Sequence, residues 1–358
     1  MRSPRCRPRA LSARAVPAAA RSPVPPACRG LARLGRATLL MFCLVASTGA
    51  ACAEGWLVLP FANKSGEVSL DWLGEGFAIS LEEQLHASGQ ITISYDGARD
   101  ILSDWNIPRG KGASLASALK AADHAGADRV VSGFFRLHEG ELRVEAQVLD
   151  PTVPSSMGEV KENARLGYLL DLHRRLGRAL LHVGQQGMTS LGAVRDSSEA
   201  PPLSAYEQYV RALIEQQPGR RLEALRKAAF SFPNYPALEY RLAEALHDAG
   251  KDDEALAALE KVKAIRFTLS PEAHLLRADI LLERGDAAGA VAAADAALGL
   301  RDSARTRLLH AEASLATGAL EVAKDDLERA RRMGAPVQDL DALSRKLEKA
   351  QPAPANTP

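Results

Sequence analysis

Small and apolar residues recur every 33 to 35 positions between about Pro236 and Gly334. Each unit carries a glycine, with an alanine seven residues before it and another five residues after it. Apolar positions on either side follow the helical period, so each unit is predicted to be two antiparallel helices around a glycine turn. The repeated residues are Gly250, Gly285 and Gly318, preceded by Ala243, Ala278 and Ala311 and followed by Ala255, Ala290 and Ala323.

This spacing resembles the tetratricopeptide (TPR) repeat, a helix-turn-helix unit. The resemblance implies an α-solenoid over residues 205–350, whose concave groove holds another protein or an extended peptide. Ser204 to Pro236 reads as a degenerate first repeat, in which Pro218 disturbs the turn. Val337 to Lys349 is predicted to be a capping helix, and residues 351–358 a disordered tail.

Upstream of the repeats, the pattern changes to short apolar runs that alternate with amphipathic helices. Trp56 to Phe61 is predicted to be a buried strand, and Leu73 to Ala87 a helix with one apolar face. Ala127 to Leu137 and Leu142 to Asp150 form a predicted hairpin, which Met157 to Ala164 extends as a third strand. With a closing helix from Gly167 to Leu191, residues 54–191 are expected to form an α/β domain, a mixed sheet with flanking helices.

The order of these elements resembles the TolB amino-terminal or FlgO-like domain of bacterial envelope proteins. The likeness covers about Trp56 to Leu191 and implies assembly and binding in the envelope, without a catalytic set. It departs from the family where Pro151 and Pro154 stand in place of a tight glycine turn, which weakens the expected third strand. The residues that carry it are Leu59-Pro60-Phe61, Asn63, Ser65, Trp72-Leu73-Gly74, Gly76, Gly126-Ala127-Asp128, Gly133 and Val144 to Asp150.

Residues 192–204 are polar and contain two prolines, and they are predicted to link two independent domains. Residues 1–53 hold nine arginines, all four cysteines and no acidic residue. The apolar run Thr38 to Ala46 leads to a small-residue site before Glu54, which is typical of a signal peptide with an extended arginine-rich lead. A transit peptide, a downstream translation start and lipidation at Cys52 remain alternatives, although Gly49 stands where a lipobox favours leucine.

Removal of residues 1–53 leaves 36 basic residues, 45 minus 9, against 44 acidic ones. A net charge near −8 argues against nucleic acid as a partner, because phosphate binding needs a basic face. The mature chain would contain no cysteine, which excludes a thiol nucleophile and thiolate metal ligands.

No catalytic, cofactor or metal site is predicted, and the protein is expected not to be an enzyme. Lys64-Ser65 lacks the glycines of a phosphate loop, and Ile79 stands where a dinucleotide loop starting at Gly74 needs its third glycine. The eight histidines include no pair at the i, i+4 spacing of a zinc motif.

The candidate partner-binding surface is the concave face of the TPR-like helices. By the geometry that the resemblance implies, positions 5, 9 and 12 of each first helix face the groove, and position 9 is acidic in all three repeats. Such a row suits an extended peptide with basic and apolar side chains, although any surface helix carries acids that pair locally. The row consists of Tyr240, Glu244 and His247, then Leu275, Asp279 and Leu282, then Leu308, Glu312 and Leu315.

The sequence therefore favours an exported protein, periplasmic or associated with the outer membrane of a Gram-negative bacterium, that acts as a non-enzymatic adaptor or scaffold. A second hypothesis is a sensory protein whose α/β domain binds a small molecule or glycan. A third is a hydrolase with a dispersed site. Fold alone does not decide among them.

Overall fold

The computed structural model describes residues 55–184 and 201–350. The predicted signal peptide, most of the predicted linker and the predicted tail lie outside the described residues.

Residues 55–165 contain a mixed six-stranded sheet with the order β3-β1-β4-β5-β6, and β2 pairs with β4. Strands β1, β3 and β2 run parallel to their neighbours, whereas β4, β5 and β6 form an antiparallel meander. The strands are β1 (Gly55–Val58), β2 (Ala62–Asn63), β3 (Ile91–Thr92), β4 (Arg129–His138), β5 (Glu141–Asp150) and β6 (Val153–Arg165).

The third strand of the meander is longer than the sequence predicted, because β6 begins at Val153. At its start, the backbone N–H and the hydroxyl of Thr152 donate to Asp150 Oδ1 at 2.8 and 2.6 Å. This side-chain turn does the work of the missing glycine turn. The register shifts between Val148 and Asp150, so the irregularity that the prolines predicted is confined to the end of the pairing.

Four helices cover the two faces of this sheet. Helices α1 (Asp71–Ala87) and α4 (Leu169–Gly184) pack on one face around Phe77 and Phe135. Helices α2 (Tyr95–Asp104) and α3 (Leu115–Ala125) pack on the other face. The result is the three-layer α/β arrangement that alternating strands and helices favour.

Nine consecutive helices follow in residues 201–350, as a helical repeat region requires. Their bounds are α5 (Leu203–Leu213), α6 (Pro218–Ser231), α7 (Pro236–Asp248), α8 (Asp252–Val262), α9 (Ser270–Glu283), α10 (Ala287–Leu300), α11 (Ala304–Ala316), α12 (Leu320–Arg332) and α13 (Val337–Ala350). Helix α5 begins inside the last two residues assigned to the linker. Pro218 is the first residue of α6, where its missing N–H costs nothing, so it starts a helix rather than disturbing a turn.

The repeated small residues lie where the helices of each pair meet. All six alanines of the period, at 243, 278, 311, 255, 290 and 323, are fully buried. Gly250, Gly285 and Gly318 have φ angles of 68°, 80° and 79°, in the left-handed region that favours glycine. The pairs are α7 with α8, α9 with α10 and α11 with α12.

The sheet region and the first helices share one hydrophobic core, contrary to the expectation of independent domains. Tyr206 of α5 donates its hydroxyl hydrogen to the carbonyl oxygen of Gly76 in α1 at 2.7 Å. A Cβ atom on Gly76 would lie 3.1 Å from that hydroxyl oxygen, and one on Gly74 would lie 2.2 Å from the carbonyl oxygen of Phe61. The two glycines therefore let α1 approach α5 and the strand connection closely.

Candidate binding cleft

A cavity of about 470 Å³ lies between α1 and the helices that follow the sheet region. One wall is formed by the C-terminal half of α1, by β3 and by the start of α2. The facing wall is formed by α5, α6, α7, α9 and α11. We call this cavity the cleft. Its charged lining consists of Glu82, Glu83, Asp96, Glu244, Asp248 and Glu272 with Arg221, Arg241 and Arg305, beside His86 and His247.

The C-terminal end of α1 is held by the helix pair α9–α10. Arg301, directly after α10, donates from Nη1 to the carbonyl oxygen of His86 at 2.7 Å. Glu272, in the first turn of α9, forms an ion pair with Arg301 and lies 2.8 Å from Nε2 of His86. Burial and the charge of Arg301 lower the pKa of His86, which keeps the imidazole neutral at pH 7. These contacts fix the distance between α1 and α9 on one side of the cleft.

A half-buried guanidinium joins α1 to α7. Arg241 donates from Nη2 to Glu83 Oε1 at 2.8 Å and from Nη1 to Glu244 Oε2 at 2.9 Å. Tyr209 and Tyr240 donate hydroxyl hydrogens to Glu83 and Glu244, both at 2.6 Å. Burial alone would lower the pKa of Arg241, but Glu244, Tyr209 and Glu83 outweigh it and raise the pKa well above its usual value. Arg241 is therefore a permanent cation, and its Nε, Nη1 and Nη2 each already donate one hydrogen bond within the chain.

Glu82 is a third carboxylate in the field of Arg241. It accepts a hydrogen bond from Thr92 Oγ1 at 2.8 Å, and it makes no other hydrogen bond or ion pair to any residue within 55–184 or 201–350. Burial raises the pKa of Glu82, and the charge of Arg241 opposes that rise. Glu82 thus lines the cleft with a carboxyl group whose charge burial disfavours, and whose one hydrogen bond among the described residues comes from Thr92.

Three of the nine residues of the predicted row line the cleft, namely Tyr240, Glu244 and His247. Tyr240 and Glu244 are bonded to each other, and Nδ1 of His247 lies 2.8 Å from Asp252 Oδ1. This contact raises the pKa of His247. The three row residues on α7 therefore lie together at the cleft. Tyr240 and Glu244 already hydrogen-bond to each other, and His247 already contacts Asp252.

The members on α9 lie beside the cleft and do not line it. Leu275 is buried, and Leu282 packs against the same hydrophobic cluster. Asp279 is half-buried and has no hydrogen bond or ion pair among the described residues. Burial, followed by the charges of Glu312 and Glu283 against that of Arg305, raises the pKa of Asp279.

The members on α11 face the last helix. Leu308 and Leu315 pack against the cluster that joins α11, α12 and α13. Lys346 of α13 forms an ion pair with Glu312, with Nζ and Oε1 2.5 Å apart. The third repeat's part of the row is therefore already in contact with this chain's own helix.

Sequence reasoning missed the α1 wall. Glu82, Glu83 and His86 were part of a predicted amphipathic helix, but no local signal places that helix against α7 and α9. Long-range contacts do so: Tyr206 and Tyr209 from α5, Arg241 from α7 and Arg301 after α10 all bind α1.

One further group could hold a cation by its geometry. Ligand atoms of His247, Asp252 and Glu283 lie within 4.8 Å of one another. The close contact between His247 and Asp252 already satisfies one nitrogen of the imidazole without an ion. This group therefore gives no reason to propose a metal site.

No protein-family model matches this chain, and no curated protein is similar to it. Among solved structures, one match is the LpoB C-terminal domain from Salmonella enterica, with a TM-score of 0.26, 12% identity, and coverage of 33% of this chain and 87% of that one. Another is the lipoprotein GNA1162 from Neisseria meningitidis, with a TM-score of 0.28, 14% identity, and coverage of 36% and 99%. At these scores the likeness carries no argument about function. No helix in the described ranges is long and apolar enough to cross a membrane.

Proposed function

We propose that the protein is a non-enzymatic adaptor of the bacterial envelope, and that its helices α5 to α12 form a TPR-like α-solenoid. The repeat period, the buried alanines at the pair contacts and the left-handed glycine turns support this view. A solenoid of this kind offers a continuous inner surface formed by its first helices, here α7, α9 and α11.

The cleft is the observation that carries the proposal. The predicted row on α7 and an unforeseen wall on α1 surround one cavity, in which six carboxylates face three arginines. An excess of carboxylates favours a partner segment with lysine or arginine, while Leu225 and Leu276 offer contacts for apolar side chains. The partner would be another envelope protein, or an extended peptide of one.

Ion pairs within the chain leave fewer acidic residues of the predicted row available to a partner. Glu244 is occupied by Arg241, and Glu312 by Lys346. Asp248 at the cleft and Asp279 beside it are the acidic groups left for a partner, since neither forms a hydrogen bond or ion pair within the part of the chain that the structure describes.

Export to the envelope, with or without a lipid on Cys52, is part of the same proposal. It rests on the pattern of residues 1–53, which lie outside the described residues. Amino-terminal sequencing and mass measurement of the mature protein would decide between a cleaved soluble form and a lipoprotein.

Site-specific photo-cross-linking in cells tests the adaptor role. A benzophenone amino acid in place of Asp248 should give discrete adducts, because this exposed residue borders the cleft. The control is Phe230, which is 91% exposed on α6 and outside the cleft lining. Identical adducts from both positions, or none from Asp248, would contradict partner binding at the cleft.

Charge reversal then tests the chemistry once the adduct has been identified. Asp248→Lys should weaken binding of the purified partner several-fold, and more at low salt than at high salt, because exposed charges are screened. Asp100→Lys makes the same charge change at an exposed position of α2, outside the cleft lining, and should leave the affinity unchanged.

A ligand-binding role is the second candidate, and the volume of the cleft favours it. About 470 Å³ lies within the range of about 300–1,000 Å³ that small-molecule sites occupy.

A further inference from the structure

The cleft contains more negative charge than its own cations neutralise. Arg241 uses its bonds on Glu83 and Glu244, and Arg221 is held by both carboxylate oxygens of Asp96 at 2.9 and 3.0 Å. Glu82 is left with the hydroxyl of Thr92 as its hydrogen-bond partner among the described residues. Burial makes the charge of Glu82 costly, and the charge of Arg241, which Glu83 and Glu244 already share, offsets that cost only in part. A cation bound in the cleft would supply a further counter-charge.

A cation of the opposite wall is also without a bonded partner. Arg305 lines the cleft from α11 and forms no hydrogen bond or ion pair with any described residue. The charges of Glu82 and Arg305 both shift the pKa of His86. Glu82 and Arg305 therefore lie near the same imidazole in the lining of the cleft. Arg305 is exposed at the rim, and a guanidinium there can bind a carboxylate through paired N–H donors.

Apolar side chains lie in the same lining. Ile79, Leu213, Leu225 and Leu276 contribute to the cleft, and they would accept the methylene groups of a long side chain. The site therefore offers a carboxylate, a guanidinium and an apolar surface together.

We propose that the cleft binds a basic amino acid, with its side-chain cation on Glu82 and its α-carboxylate on Arg305. Lysine, ornithine and arginine share this chemistry, and the cavity of about 470 Å³ is large enough for them. This inference goes beyond the adaptor role, because it requires no protein partner. A bound amino acid would contact α1 and α11 at the same time. It would therefore link the sheet region to the helical region.

Calorimetric titration of the purified full-length protein with L-lysine and L-arginine tests the proposal. Two comparators each remove one charged group: norleucine lacks the side-chain cation, and cadaverine lacks the carboxylate. Lysine should bind at least about tenfold more tightly than either comparator, since each charge-assisted bond is worth that much. Equal affinities for lysine and norleucine, or no heat with any of the four compounds, would overturn the proposal.

Two substitutions assign the groups. Glu82→Gln should weaken lysine binding about tenfold and leave norleucine unchanged, and Arg305→Gln should make lysine and cadaverine equal. Glu321→Gln and Arg331→Gln make the same changes at exposed positions on α12 and should bind as the parent does. Lysine binding that is unaltered by Glu82→Gln would contradict the assignment. The comparators on the unsubstituted protein decide the question even if a variant does not fold.

Failure here and failure of the adaptor role are distinguishable. Cross-linking from Asp248 without lysine binding would leave the adaptor and remove the amino-acid site. Lysine binding without cross-linking from Asp248 would support the amino-acid site and contradict the adaptor role of the cleft.

Discussion

His310 lies between carboxylates from two other helices. Its Nδ1 is 2.5 Å from Asp326 Oδ2 on α12, and its Nε2 is 3.1 Å from Asp295 Oδ1 on α10. The hydrogen bond to Asp326 is the largest of the causes that raise the pKa of His310 above 6.5. Burial alone would raise the pKa of Asp326, but bonds from His310 and Arg307 lower it. The His310 imidazole thus joins three helices.

This contact makes the stability of the helical region depend on pH. A histidine whose pKa is raised by folding stabilises the protein fully below its unfolded pKa near 6.5, and this contribution is lost as the pH rises through the folded pKa. His310→Gln should therefore lower the melting temperature more at pH 5.5 than at pH 9, by about 2–4 °C for each kcal/mol lost. Asp326 stays ionised at pH 5.5, because its folded pKa lies below 3.8. Equal losses at the two pH values in thermal melts would contradict the ion pair.

Gly74 lies where α1 approaches the backbone of the strand connection. A Cβ atom there would lie 2.2 Å from the carbonyl oxygen of Phe61, whereas one on Gly299 of α10 would meet nothing within 4 Å. Helix propensity favours alanine over glycine by about 1 kcal/mol. Gly299→Ala should therefore stabilise the protein, and Gly74→Ala should destabilise it by about 1–3 kcal/mol through overpacking. Denaturant unfolding of both variants is the measurement, and a Gly74→Ala variant as stable as the parent would show that α1 does not approach the strand connection.

At the scale of elements, the helix pairs were predictable from the sequence and the sheet was partly so. The period of Ala243, Ala278 and Ala311 is a local signal, because a residue at the contact of two helices joined by a short turn must be small. The start of β6 was missed because Thr152 and Asp150 form a side-chain turn that no glycine announces. Pro218 was misread because its position at the first residue of α6 depends on where the helix begins.

The helix-pair contact gives a prediction of its own. Ala290 is fully buried where α10 meets α9, so Ala290→Leu should overpack the contact and cost about 1–3 kcal/mol. Ala292→Leu places the same side chain on the exposed face of α10 and should be nearly neutral. Equal melting temperatures for the two variants would contradict the repeat register.

On the scale of the whole molecule, one face of the sheet and the helices α5 to α9 share a hydrophobic cluster. Tyr206 and Tyr209 hydrogen-bond to α1, Arg221 hydrogen-bonds to Asp96, and Arg301 caps α1 from the end of α10. These bonds join residues more than 100 positions apart in the sequence. The α7 side of the cleft was foreseen from the repeat, whereas the α1 side depends on this long-range packing and has no local pattern.

Both regions are needed to build the cleft, and cleavage of the chain between them tests this requirement most directly. A specific protease site inserted within residues 192–200 would allow the chain to be cut after folding, with the uncut protein as the control. The shared core predicts that the two fragments elute together in size-exclusion chromatography and melt in one transition. Fragments that separate, with each keeping its own cooperative melting transition, would contradict this requirement. They would show that the chain consists of two independent domains.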